Sequence, residues 1–184
     1  MSLGLAVTNE GSLGLKKELV LSREIILKRV QELAQQISTD YDGREPILVG
    51  ILNGVVFFFA DLVRRLNIPS KIDFVRAASY GSGVSTSGEV RFTKDLEMPI
   101  AGRDVIIVED IVDTGLTLAR VVERFETENP LSIRICALID KQERREVAVK
   151  VDYCGFPVEK GFLVGYGLDY DEQYRYLPDI YALR

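Results

Sequence analysis

Two short apolar runs constrain this chain more than anything else in it. Ile47-Leu48-Val49-Gly50-Ile51-Leu52 and Val105-Ile106-Ile107-Val108 place apolar residues at nearly every consecutive position. Successive side chains of a strand point to opposite faces, so such runs suit a sheet covered on both sides, as parallel sheets flanked by helices are. Ile72–Ala78 and Ile133–Ile139 read as two further strands. Between the runs the period changes. Ile26, Val30, Leu33 and Ile37 recur at helical spacing after Ser22, a residue suited to cap a helix. The segment following Gly54 reads as helical to Leu66, and a third helix follows Gly115 and ends near Glu126. Strands alternating with helices predict an α/β fold with a mainly parallel central sheet and flanking helices. At 184 residues the chain fits one domain. Its first twenty residues show no sustained periodicity and predict no element.

Composition then narrows the chemistry. The chain contains no histidine, which removes the commonest general base and metal ligand. Any catalysis must use carboxylates, lysine, arginine, tyrosine, hydroxyls or a hard metal on oxygen ligands. With 23 basic and 28 acidic residues the net charge is −5, a poor match to nucleic acid and a better one to small-molecule partners. Cys136 and Cys154 lack metal-type spacing and read as buried thiols. No apolar stretch approaches the ~18 residues of a membrane span, and no basic-then-apolar leader opens the chain, which predicts a cytosolic protein.

Two segments stand out as functional. Eight of the ten residues Ser79–Gly88 are Gly, Ser or Thr, and with the charged stretch to Pro99 they predict a mobile lid or binding loop over 79–99. Glu109, Asp110 and Asp113 follow the Val105–Val108 strand, at the edge where parallel sheets bind ligands. Asp113-Thr114-Gly115-Leu116-Thr117 comes next, small and hydroxyl residues at a helix start that can wrap a phosphate. Neither a Gly-x-x-x-x-Gly-Lys nor a Gly-x-Gly-x-x-Gly pattern is present, so the combination points to a sugar phosphate rather than a nucleoside triphosphate or dinucleotide.

Val105 through Thr117 resembles the phosphoribosyl-diphosphate signature of the type I phosphoribosyltransferases. Leu52-Asn53-Gly54, Ser79-Tyr80, Lys141, Phe162 through Asp169, and Arg175 extend the resemblance to the 6-oxopurine branch of that family. The resemblance implies a sheet with a flexible lid and a small hood formed by the chain's two ends. It also implies Mg²⁺, assembly as a homodimer or homotetramer, and transfer of a phosphoribosyl group to N9 of hypoxanthine or guanine. By the same resemblance, Glu109 and Asp110 hold the ribose hydroxyls directly or through Mg²⁺, and Asp113 to Thr117 seat the 5′-phosphate. Asp113 would take the purine N7 proton. Leu52, Asn53, Gly54, Ser79, Tyr80 and Arg175 would bind diphosphate, with Asp169 holding a Mg²⁺ there. Lys141, Phe162, Leu163 and Asp169 would bind the purine. A lysine only donates, so Lys141 suits an oxo group and repels the amino group of adenine.

Asn53 departs from the pattern. Many relatives carry Lys or Arg at that place, in a loop with a non-proline cis peptide, so this chain keeps the backbone donors there but lacks one cation. Two rival readings are a nucleotide-sensing regulator on the same fold and a phospho-acceptor module. Lys141 with Asp113 argues against the first, and the placement of the clustered acids past residue 100 rather than near the N-terminus argues against the second.

Overall fold

A computed structural model describes residues 16–79 and 90–184. The main sheet is assembled from β2 (Ile47–Ile51), β3 (Lys71–Ser79), β4 (Val90–Lys94), β5 (Asp104–Val112), β6 (Ser132–Lys141) and β7 (Tyr153–Val158). Their spatial order is β4-β3-β2-β5-β6-β7, with β2, β3, β5, β6 and β7 parallel and β4 antiparallel at one edge. This is the mostly parallel α/β architecture that the apolar runs predict. Helices α1 (Arg23–Asp40) and α2 (Val56–Val63) cover one face, and α3 (Leu116–Glu126) covers the other.

The alternation within β5 explains why both faces must be covered. Ile106 and Val108 pack with Val30, Leu33 and Phe58 of the first two helices, while Val105 and Ile107 pack with Val121 and Phe125 of α3. Each such buried side chain stabilises the fold by roughly 1.5–3 kcal/mol relative to exposure. The stripe Ile26, Val30, Leu33 and Ile37 is fully buried, and Ser22 caps α1, its hydroxyl accepting from the Ile25 N–H at 3.5 Å.

Several boundaries differ from those the sequence predicts. Helix α2 stops at Val63 rather than Leu66, because the amides of Arg65 and Leu66 close tighter turns onto Leu62 and Val63. Strand β7 follows β6 in parallel through a connection, 142–152, that contains no helix. A second sheet, absent from the strand pattern, is formed by β1 (Lys17–Leu21), β9 (Ile180–Leu183) and β8 (Phe162–Val164), in the order β1-β9-β8. β1 overlaps the end of the stretch that predicts no element. It is a largely exposed edge strand whose hydrogen-bonding partner stands at the far end of the chain, so local periodicity carries no trace of it.

The predicted 79–99 loop is also revised. Residues 80–89, Tyr80 among them, lie outside the described residues, but Val90–Lys94 is a strand paired with β3, and the chain after it is fastened. The fastener is Asp73, buried on β3, whose carboxylate accepts from the amides of Phe74, Glu97 and Met98 at 2.7, 2.7 and 3.1 Å and from Lys94 Nζ at 3.3 Å. Arg124 of α3 adds a second tie, donating from Nη2 to Asp95 Oδ2 at 2.9 Å.

Burial by itself would raise the Asp73 carboxyl, but the amides of Glu97, Phe74 and Met98 together with the Lys94 ammonium hold it below the usual range. A carboxylate with a depressed folded-state pKa adds stability above its unfolded value of about 4, and that contribution disappears as pH falls through the folded-state value. Asp73→Ala should therefore cost about 1–3 kcal/mol at neutral pH. Denaturant midpoints of variant and wild type should converge as the solution is acidified.

Candidate active site

Strand β2 pairs with β5 only as far as Gly50 opposite Val108, whereas β5 stays paired to β6 through Val112 opposite Asp140. Beyond Val108 the two strands part, and a cleft of about 380 Å³ opens at the carboxyl edge of the sheet. Glu109 and Asp110 thus lie inside the last part of β5 rather than after it, and Asp113 follows directly. The extension comes from pairing with β6, which no periodicity in β5 itself encodes.

Asp110 is 6% exposed, and its Oδ1 accepts from the Ile111 amide at 2.9 Å. Its other oxygen rests against Gly54, where a Cβ would lie 1.9 Å away. Gly167, with φ +104°, closes the same contact, since a Cβ there would meet the Gly54 carbonyl at 2.0 Å. The loops after β2 and β8 therefore meet backbone to backbone, with the Asp110 side chain from the end of β5 against the same point. Burial pushes the carboxyls of both Glu109 and Asp110 above the ordinary range, Glu109 well above it with the charge of Asp110 as a further cause.

Leu52, Asn53 and Gly54 border the cleft, and the Leu52–Asn53 peptide is cis. The Leu52 amide donates to Val75 O at 2.9 Å, anchoring the loop to β3, and the Asn53 side chain is exposed. Thr114, Gly115 and Thr117 line the opposite wall at the start of α3. Gly115 has φ +83°, and a Cβ there would sit 2.5 Å from Val147 O, so the turn into the helix needs glycine on both counts. Leu116 does not line the cleft, and its amide donates to Thr114 Oγ1 at 3.3 Å.

Lys141, the last residue of β6, is 5% exposed, which excludes a solvated surface lysine. Its Nζ lies 3.7 Å from Asp113 Oδ1 and 3.2 Å from Glu143 Oε2. Asp113 Oδ1 is buried and accepts no hydrogen bond. Phe162 on β8 is 47% exposed, faces the cleft and meets Tyr170 edge-on at 5.5 Å, so it is no core residue; Leu163 beside it is buried. Asp169 and Arg175 complete the rim. Arg175 Nη2 pairs with Asp169 Oδ1 at 2.8 Å, Nη1 donates to Gly167 O at 2.8 Å, and Asp169 Oδ2 accepts from the Glu172 amide at 2.9 Å. Ser79 ends β3 with its backbone opposite Val90.

Sequence reasoning misses two arginines. Arg144 borders the cleft with Nη1 3.6 Å from Asp113 Oδ2, and the side chain of Arg145 is mostly buried behind it. Both belong to a charged run, Lys141-Gln142-Glu143-Arg144-Arg145, which by itself resembles a solvated turn. Among the described residues no three His, Cys, Asp or Glu side chains converge on one cation position. The side chains of the rim that could ligate a cation are oxygen donors, among them the paired carboxylates of Glu109 and Asp110, which fits Mg²⁺, commonly held by one or two carboxylates plus water and substrate phosphates.

These features find their match in known proteins. The phosphoribosyl transferase domain family matches residues 18–171, which defines the class. The hypoxanthine phosphoribosyltransferase of Salmonella typhimurium is 47% identical over 163 residues, covering 88% of this chain and 92% of the relative. The hypoxanthine-guanine phosphoribosyltransferase of Bacillus subtilis is 42% identical over 168 residues, covering 91% and 93%. A crystal structure of the Staphylococcus aureus hypoxanthine phosphoribosyltransferase superposes with a TM-score of 0.88 at 40% identity, covering 92% of each chain. The chain belongs to the hypoxanthine-guanine phosphoribosyltransferase family, within the type I phosphoribosyltransferases.

The Gly54 contact supplies a test of the geometry. Gly54→Ala should displace the Asp110 carboxylate and lower kcat/KM by about 10²-fold, the cost typical of an ångström-scale misplacement. Steady-state kinetics, with circular dichroism to verify folding, would measure it.

Proposed function

We propose that the protein transfers the 5-phosphoribosyl group of phosphoribosyl diphosphate to N9 of hypoxanthine or guanine, giving IMP or GMP and diphosphate. One observation carries the reading. Asp113 Oδ1 is a buried acceptor without a hydrogen-bond partner, and it stands 3.7 Å from the buried donor Lys141 Nζ. Buried polar atoms rarely go unpaired, so the pair fits a ligand that presents a donor and an acceptor side by side. A 6-oxopurine does so with N7–H and O6. Adenine would set an amino group against the ammonium, two donors facing each other.

In this reading N9 bonds to C1′ while the bond from C1′ to the diphosphate oxygen breaks, its electron pair leaving with diphosphate. The N7 proton passes to Asp113, a base suited to a site without histidine. Glu109 and Asp110 hold the ribose hydroxyls, and the residues from Asp113 to Thr117 seat the 5′-phosphate, Leu116 through its backbone. Phe162 stacks on the base, with the backbone around Leu163 and Asp169 reading its far edge. Leu52, Asn53, Gly54 and Arg175 bind diphosphate, and Ser79 and Tyr80 close over it. Mg²⁺, held by Glu109 and Asp110 on the ribose side and by Asp169 on the diphosphate side, would neutralise charge on the leaving group.

A regulator that binds nucleotide without turnover would have no use for a proton acceptor beside a base-reading lysine. We further take the protein to act in the cytosol as a homodimer or homotetramer, with neither nucleic acid nor membrane as partner. No helix among the described residues is long and apolar enough to cross a membrane.

Enzyme mixed with Mg²⁺, phosphoribosyl diphosphate and each purine should change the ultraviolet absorbance with hypoxanthine or guanine; silence with both refutes the assignment. Asp113→Asn should lower kcat by about 10²–10⁴ with little change in sugar-phosphate binding. Asn53→Lys should lower the KM for phosphoribosyl diphosphate and weaken its dependence on Mg²⁺. An unchanged KM across Mg²⁺ concentrations would remove Asn53 from the diphosphate site.

A further inference from the structure

The two groups that face the base come from different strands, Asp113 just after β5 and Lys141 at the end of β6. One side chain ties them together. Arg145 donates from Nε to Asp113 O at 2.9 Å, and from Nη2 to Val112 O at 3.0 Å, Lys141 O at 3.1 Å and Asp140 Oδ1 at 2.5 Å. A guanidinium is planar and carries its donors in a rigid fork, so acceptors bound to it are held at fixed relative positions. The peptide leading into Asp113, the carbonyl of Asp113 and the carbonyl of Lys141 are thereby fixed to one rigid group. Arg144, the preceding residue, is exposed and approaches the Asp113 carboxylate from outside.

The phosphate end of the same loop is held by other means. The amides of Glu146 and Val147 both donate to Thr114 O, at 2.9 and 3.0 Å, and Gly115 lies against Val147 O. The β5–β6 ladder ends at Val112 opposite Asp140, so loss of the Arg145 side chain loosens the residues just beyond it, Asp113 and Lys141, while the phosphate-facing end stays fastened.

We propose that Arg145 is a positioning residue that sets the distance between the Asp113 carboxylate and the Lys141 ammonium, and through it the preference for 6-oxo over 6-amino purines. The proposal rests on the assignment of these two groups to N7 and O6. A donor and acceptor read a rigid base together only at one spacing. If either drifts, the 6-oxopurine loses a hydrogen bond and adenine loses part of its penalty.

Arg145→Met and Arg145→Lys, assayed with hypoxanthine, guanine and adenine and titrated with ribose 5-phosphate as a probe of the phosphate seat, test this. In folded Arg145→Met, kcat/KM for hypoxanthine should fall by about 10²-fold, with the KM for the base rising. The ratio of hypoxanthine to adenine turnover should narrow, and ribose 5-phosphate affinity should stay close to wild type. Arg145→Lys, which keeps the charge but can satisfy fewer of the acceptors, should recover part of the loss. Wild-type base kinetics in either folded variant, or an equal loss of base and ribose 5-phosphate binding, overturns the proposal. If Arg145→Met does not fold, Arg145→Lys decides by the same split. Absence of 6-oxopurine turnover by the wild type would overturn the assignment of function and this proposal with it, whereas a failure seen only among the variants overturns this proposal alone.

Discussion

Strand β5 is buried on both faces, and the rest of the molecule is arranged around that burial. Its residues feed two separate cores, one beneath α1 and α2 and one beneath α3. Such a strand can carry polar chemistry only where one of its neighbours ends. Here β2 leaves the pairing at Val108 while β6 continues, so Glu109 and Asp110 stay fixed by a ladder on one side and open to a cleft on the other. The acids are held by the sheet rather than by a loop, which suits groups that must keep their place as a ligand arrives.

Around that edge the site is assembled from segments far apart in the chain, and the contacts are unusually direct. Gly54, Asp110 and Gly167 touch without room for another side chain. The loop that delivers Gly167 also carries Tyr166, Asp171, Glu172 and Tyr174 with positive φ, a conformation non-glycine residues adopt sparingly and mostly where the surroundings enforce it. Arg175 enforces it in part, tying back to Gly167 and Asp169 from the far side of the turn. Charge follows the same logic. Glu109, Asp110, Asp113 and Asp169 would repel one another, and Lys141, Arg144 and Arg175 are interleaved with them, so that acids and bases alternate around the cleft.

Much of this was legible before any coordinates. Continuous apolar runs identified β2 and β5 and the mostly parallel sheet, and helical spacing identified α1 with its Ser22 cap. The acids at the end of β5 and the Thr114-Gly115-Leu116-Thr117 turn are legible by type and position, Lys141 and Phe162 only through the family resemblance, and all but Leu116 border the cleft. The elements that escaped share one property. β1, β4, β7, β8 and β9 are short strands that gain their hydrogen bonds from other segments of the chain, so their own sequences need show no period. Arg145 escaped for a related reason: a charged residue in a charged run looks solvated, and only its acceptors reveal that it is a brace.

By itself, then, the sequence determined which stretches must be covered on both faces and which residue types could act in a chain without histidine, because hydrophobic period and side-chain chemistry are local properties. Tertiary structure alone decided that β5 extends past its apolar run, that Gly54 admits Asp110, that Asp113 Oδ1 is left without a partner beside Lys141, and that Arg145 joins the two. Each of those depends on the distance between atoms remote in the chain, a quantity set by packing and not written in any one segment.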